Sequence, residues 1–507
     1  MVTPLKKPLL LLAFFLACLL FAARHFSSNA ATAAPLAPQS TDAALSARIS
    51  RIENGLLPAV VIKGAPPKSM TIAERMAFYK VPAISIAFFD HGQIIWTRTY
   101  GYADVAAKTP VTPDTLFQAA SISKPVSALA ALRLVQDGKI SLDEDVNVKL
   151  KTWKVPENAF TQKEKVTVRR ILSHSAGLTV HGFPGYASDE TVPTVVQILN
   201  GEKPANTEPI RVDVVPGTLW RYSGGGYVIL QTLMSDVTGE PFPQILRELV
   251  LQPAGMTHST YEQPLPKSRL AEVATPYRAN GEPVKGGPHT YPEMAPAGLW
   301  TTPSDLAKMA IEVQKEYAGQ SSKILNPAMA KQMLTRQIGV WGLGFGLEAP
   351  AASPRFSHSG GNEGYRCDLE AYTGSGQGVA IMTNSDSGDA VYSEILRAIA
   401  KEYGWPDFKP TEHVLLKINP ATFQAYAGAY EIPGLGKLTV TFQSNALFVQ
   451  TDPLGPDPIE LFPDSPTSFF LMSSDITFTF DRDSPTGPVT QVIIHAGPQT
   501  FAAKKVS

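Results

Sequence analysis

Ser121-Ile122-Ser123-Lys124 is the only Ser-x-x-Lys in this chain. At the start of a helix, residues three apart lie one turn above each other on the same face. The Lys124 amine can then reach the Ser121 hydroxyl. A serine hydroxyl is a weak nucleophile until a base takes its proton, and burial lowers the pKa of a lysine enough for it to be that base. A helix N-terminus also directs partial positive charge at an oxyanion formed on attack. Chance alone gives such a tetrad about once or twice in a chain of this length, so its context matters. Phe117-Gln118-Ala119-Ala120 leads from an extended segment into the predicted helix, where an active serine would be presented.

Two further segments carry candidate chemistry. Arg221-Tyr222-Ser223-Gly224-Gly225-Gly226-Tyr227 sets a phenol beside a glycine cluster, where Tyr222 could relay a proton; a core tyrosine at a helix start is the bland alternative. Phe356-Ser357-His358-Ser359-Gly360-Gly361-Asn362 sets a histidine beside glycines that let a strand edge approach a substrate and offer free N–H groups. His174, in Ser173-His174-Ser175-Ala176-Gly177-Leu178, reads as a residue that braces a loop and stays outside the catalytic set. Competing designs are missing from the sequence: there is no Gly-x-Ser-x-Gly elbow, no His-Glu-x-x-His and no phosphate-cradling Gly-rich loop. Neither a metal nor a cofactor is expected.

The elements that must position these residues follow from periodicity. Residues 81–89 and 93–100 are β-branched and aromatic, and Asp90-His91-Gly92 between them signals a hairpin. Val126, Leu129, Leu132 and Val135 recur at helical spacing after Ser121, with Gly138 as a stop. More helices are expected near residues 42–55, 164–172, 227–237, 243–249 and 303–317. Strands follow at 368–372 and 379–383, and a closing helix at 390–403. The order implies an α+β fold: one antiparallel sheet whose early and late strands meet, with helices inserted between. Beyond Trp405 short alternating runs separated by Gly, Pro, Asp and Ser predict a small all-β barrel or sandwich.

Composition narrows the partners. Forty-four basic residues against 45 acidic ones, with no long basic run outside the N-terminus, argue against nucleic acid. Lys6 and Lys7, an apolar stretch at residues 9–23 and a small-residue tail ending in Ala31-Thr32-Ala33 describe an export signal with a cleavage site. An uncleaved anchor that holds the protein at a membrane is the alternative. Export to the periplasm or the medium is therefore expected. Cys18 and Cys367 are the only cysteines, so removal of the leader leaves no intrachain disulfide. Cys18 follows Phe15-Leu16-Ala17 and only loosely resembles a lipoprotein site.

Together the three segments resemble the serine β-lactamase and penicillin-binding protein superfamily, most closely its class C β-lactamase-related group of D-alanyl-D-alanine carboxypeptidases, D-amino-acid peptidases and esterases. Val81-Pro82-Ala83-Ile84-Ser85-Ile86, Ile171-Leu172-Ser173-His174-Ser175-Ala176-Gly177-Leu178, Pro253-Ala254-Gly255-Met256 and Ala297-Gly298-Leu299-Trp300-Thr301-Thr302 are similar to further family segments. The resemblance covers residues 43–403. It implies a helical subdomain beside the sheet, Ser121 as the acylated nucleophile, Lys124 as its base and Tyr222 as proton relay. It also implies an oxyanion hole from the N–H groups of Ser121 and Gly361, with His358 and Gly360 on the substrate-binding strand. The tail resembles the lipocalin-like barrels appended to some of these hydrolases. The implied layout is a signal or anchor at 1–33, a lead at 34–42, the hydrolase at 43–405, a linker at 406–414 and the barrel at 415–507.

Two departures bear on substrate. Gly224 stands where class C enzymes have the Asn of Tyr-x-Asn, and His358-Ser359-Gly360 stands where they have Lys-Thr-Gly. The first loses an amide hydrogen bond to substrate; the second replaces a permanent ammonium with a group mostly neutral at pH 7. The expected activity is an exported acyl-serine hydrolase, esterase or D-amino-acid peptidase in type, with weak β-lactam turnover as a side reaction. A catalytically silent binding or sensing protein on the same scaffold, and an acyl transferase, are the competing readings.

Overall fold

The computed structural model describes residues 39–66, 69–347, 354–432, 436–451, 455–484, 487–497 and 499–506. The expected signal or anchor, its cleavage site and Cys18 lie outside the described residues. Two compact units are distinguished. The described part of Met1–Arg48 is the start of the first helix, Gln39–Glu53, and Ile49–Ser507 holds everything else.

Six antiparallel strands form the central sheet of the larger unit. In spatial order they are Thr109–Pro110, Gln93–Asp104, Ala83–Asp90, Gly378–Thr383, Tyr365–Tyr372 and Arg355–Asn362. Ala83–Asp90 pairs with both Gln93–Asp104 and Gly378–Thr383, so the early and late strands do meet in mid-sheet. Asp90 pairs directly with Gln93, leaving His91 and Gly92 as a two-residue turn with φ of 48° and 73°. Both left-handed residues match the twist that such a hairpin requires. Helices Pro303–Tyr317 and Gly388–Tyr403 cover the sheet. Thr302 caps the first of these by accepting from the Asp305 N–H, with Pro303 at the first helical position.

The helix expected at 303–317 forms with those ends, Pro303–Tyr317, while other expected helices form with shifted ends. The stretch predicted at 164–172 is helical only over Val168–Leu172, because Thr167 accepts from the Arg170 N–H and fixes the start there. The helix expected at 227–237 runs Gly224–Thr238, since Ser223 caps it by accepting from the Gly226 N–H and draws in all three glycines. The helix after Ser121 begins as a 3-10 turn, Ala120–Ile122, and continues as Ser123–Gln136. Gly138, with φ of 69°, lies just past its end as expected. This helix is buried nearly all round, which marks it as the centre of the core.

The tail is a closed eight-stranded barrel from Gly428–Ile432 to Gln499–Lys505, sealed where Tyr430 pairs with Lys505. Alternate residues point inward. Tyr430, Leu438, Val449, Phe469, Phe478 and Phe480 pack together as its core. The segment read as a linker carries a strand of its own, Thr411–His413, which pairs in parallel with Val60–Ile62. There Phe470 is fully buried among Ala59 and Val60, and the His413 ring stacks on it at 4.2 Å. Phe470→Ala empties this junction and is expected to cost about 3–5 kcal/mol. Calorimetry should show a lower melting temperature than wild type; an unchanged one would mean that the junction carries no stability.

Candidate active site

The extended segment Phe117–Gln118 is fixed by pairing with Trp300–Thr301, and the Ala119 N–H donates to the Leu299 carbonyl at 2.8 Å. Ala120 then takes φ of 47°, a left-handed conformation unusual for a residue with a Cβ. This bend turns the chain into the 3-10 turn and leaves Ser121 partly exposed at the head of a buried helix. Such strain is concentrated at functional positions. His174 (φ 57°) and Val180 (φ 62°) show it in the same neighbourhood.

Lys124 Nζ donates to Ser121 Oγ at 2.9 Å and to the Pro296 carbonyl at 3.1 Å. Only 2% of the side chain's residue surface is exposed. Burial strips the ammonium of water and lowers its pKa to about 7. No carboxylate contributes to the shift. Nζ also lies 4.8 Å from the centroid of the Tyr222 ring. Burial raises the pKa of the Tyr222 phenol, which outweighs the lowering by the neighbouring Ser121 side chain, so Tyr222 holds its proton near pH 7.

A ring of aromatic groups fixes this pair. His174 stacks on Tyr222 at 4.3 Å, and its Nδ1 accepts from the Ser223 N–H at 3.1 Å, which leaves its proton on Nε2. Burial, followed by repulsion from Lys124, pushes the His174 pKa well below its ordinary value. His174 thus braces Tyr222 directly, more than the loop-bracing part that its sequence context suggests. His181, itself exposed, lies 4.8 Å from Tyr222, and its pKa is also lowered by partial desolvation and by Lys124.

The strand Arg355–Asn362 is the sheet edge beside the serine. Gly360 packs so tightly there that a Cβ would sit 2.3 Å from the Ala119 carbonyl oxygen. Only glycine allows that approach. On the outer side Ser357 exchanges two backbone hydrogen bonds with Gly346, both 3.0 Å. The two-residue period of an antiparallel ladder turns the Ser359 and Gly361 main chain the same way, toward the open edge. His358 Nδ1 donates to its neighbour's carbonyl, Ser359 O, at 2.6 Å, so its buried Nε2 is a bare acceptor with no partner among the described residues. Burial and Lys124 lower its pKa to about 3. Nearby amides are already engaged: Asn362 Nδ2 donates to Gln118 Oε1 at 2.8 Å, and Gln118 Nε2 donates to the His289 carbonyl at 2.7 Å.

The structure thus brings Ser121, Lys124, Tyr222, His358, Gly360 and Gly361 together. At Gly224, a Cβ would meet the His181 carbonyl oxygen and the Phe183 ring, each at 3.0 Å, so the space for a side chain is already filled. Sequence reasoning missed the Pro296 carbonyl, His181, Trp220 and Trp341. Trp220 was the most legible, being two residues before Tyr222. The others come from distant segments that only folding brings near.

A family model described as "Beta-lactamase" matches residues 70–403, and one described as a domain of unknown function (DUF3471) matches residues 415–505. Penicillin-binding protein 4* of Bacillus subtilis (strain 168) is 24% identical over 418 residues, 78% of this chain and 89% of that protein. Among solved structures, the octameric penicillin-binding protein homologue from Pyrococcus abyssi superposes with a TM-score of 0.56 at 22% identity, covering 85% of this chain and 98% of that one. D-amino acid amidase from Ochrobactrum anthropi SV3, complexed with L-phenylalanine amide, gives 0.52 at 23% identity, covering 66% and 97%.

Holding Lys124 at a pKa of about 7, against about 10.4 in an unfolded chain, costs roughly 4 kcal/mol of stability at neutral pH. Between pH 7 and 10 the unfolded chain binds one proton more, so this cost shrinks as pH rises. Lys124→Met should therefore melt above wild type, with the gain largest at pH 7 and below and fading toward pH 10. A gain that does not change with pH would contradict a buried neutral amine.

Proposed function

The chain belongs to the beta-lactamase family of the serine hydrolase superfamily, and from that premise we propose that it is an exported hydrolase that cleaves an ester or amide bond through an acyl-enzyme on Ser121. The observation that carries this reading is the 2.9 Å contact between Ser121 Oγ and a buried Lys124 whose pKa lies near 7. Half-neutral at physiological pH, this amine accepts the Ser121 proton as Oγ attacks the substrate carbonyl. The N–H groups of Ser121 and Gly361 receive the oxyanion. As the tetrahedral intermediate collapses, the bond to the leaving group breaks and the proton passes from Lys124 through the Tyr222 hydroxyl to that group. Water, deprotonated by the same pair, then attacks the acyl carbon and releases Ser121.

Amide cleavage is supported by the D-amino acid amidase likeness and by the penicillin-binding protein relative. Ester cleavage is supported by the chemistry, since an alkoxide leaves more readily than an amine and asks less of the relay. The neutral imidazole at His358, where an ammonium would grip a carboxylate, fits weak β-lactam turnover. The basic and apolar N-terminal segment supports export.

Intact-mass spectrometry after exposure to a fluorophosphonate should show one adduct on the wild type and none on Ser121→Ala. Lack of an adduct on folded wild type would favour a silent binding protein. For the wild type, kcat/KM on an activated ester should rise with pH through about 7 as Lys124 loses its proton. Lys124→Arg, which keeps its charge, should lose roughly 10²–10⁴-fold in turnover and the pH step together; a loss below tenfold would remove Lys124 as the base.

A further inference from the structure

Trp220 is 45% exposed beside the site, and Leu219 and Val340 are 40% and 41% exposed next to the two tryptophans. Exposed side chains of this size in one place ask for an explanation that scattered ones do not. The Trp220 ring lies 5.7 Å from Trp341. Trp341 in turn packs edge-on against His174 at 5.1 Å, His358 at 5.6 Å and Tyr222 at 6.1 Å. The wall is therefore continuous with the groups that hold the Ser121 hydroxyl.

Among the described residues, the cations near this wall are turned to other partners: the Arg336 guanidinium donates to the Leu347 carbonyl at 3.0 Å. Lys124 Nζ is buried and directed at Ser121 Oγ and the Pro296 carbonyl. The Arg221 guanidinium is turned to the Gly177 carbonyl and to Asp213. His358 Nε2, buried and unpartnered among the described residues, carries no N–H for a carboxylate. A carboxylate against these rings would lose water and gain no counter-charge from them. A flat apolar group would instead stack on the exposed indole.

We propose that the part of the substrate seated against this wall is uncharged and aromatic, and that Trp220 is the residue that selects it. The proposal rests on the acyl-serine reading above and names its substrate class. Trp220 is chosen for the test because its exposure makes replacement compatible with folding. Esters carrying phenyl, cyclohexyl or 4-carboxyphenyl on the acyl side, and a matched set on the alcohol side, would be assayed with wild type, Trp220→Ala, Trp220→Phe and Ser121→Ala. On one side of the ester, wild type should prefer phenyl over 4-carboxyphenyl by tenfold or more in kcat/KM. Trp220→Ala should erase about tenfold of the phenyl-over-cyclohexyl preference through KM, and Trp220→Phe should restore most of it. Ser121-dependent turnover with no phenyl preference on either side, or with a preference indifferent to Trp220→Ala, overturns the proposal but leaves the hydrolase reading standing. Turnover that survives Ser121→Ala overturns both.

Discussion

An amine without water is the constraint on which the rest of this site depends. Lys124 stays buried and near neutrality because its helix, Ser123–Gln136, is enclosed on almost every face. Its two oxygen partners, Ser121 Oγ and the Pro296 carbonyl, carry no formal charge. A carboxylate in their place would hold the proton on the amine and end its use as a base. Three further groups that could have added charge have lowered pKa values, with Lys124 among the causes: His174 and His358, which share the dry surroundings, and His181, which is exposed. Burial and mutual repulsion together keep the site at low charge.

Packing decides how closely the parts of the site approach. Gly360 brings the sheet edge onto the Ala119 backbone, and the Cys367 thiol donates to the Ala119 carbonyl at 3.1 Å from the neighbouring strand. That places Gly361 beside the serine turn. On the opposite side, the strap from Thr179 to His181 caps the helix Gly224–Thr238: Gly224 and Gly225 donate to the His181 and Val180 carbonyls, both at 3.0 Å. These contacts consume the helix's first N–H groups, which would otherwise be open to an anion. Strained residues at Ala120, His174 and Val180 are held in place by this close packing, and each one re-aims the chain next to a group that faces the site.

The barrel stands apart from this chemistry. Its core is made of aromatic and aliphatic side chains, and its attachment is a short parallel strand pair with one buried phenylalanine.

Sequence by itself determined much of this protein. Ser121 and Lys124 were legible because their relation is local, three residues on one helix. The hairpin at His91-Gly92, the stop at Gly138 and the alternating strands of the tail were legible because each rests on local backbone preference or a short period. The positions of Tyr222, His358 and Gly361 were legible through family resemblance, whereas nothing in their spacing put them within reach of Ser121. Only the tertiary structure decided that Pro296 receives the Lys124 amine, that the His181 carbonyl and Phe183 fill the space at Gly224, and that Trp341 meets Tyr222 across more than a hundred residues of chain. The pKa of Lys124 belongs to the same class. Its cause is the exclusion of water by surrounding elements, and exclusion is a property of the packed volume, which no stretch of sequence contains.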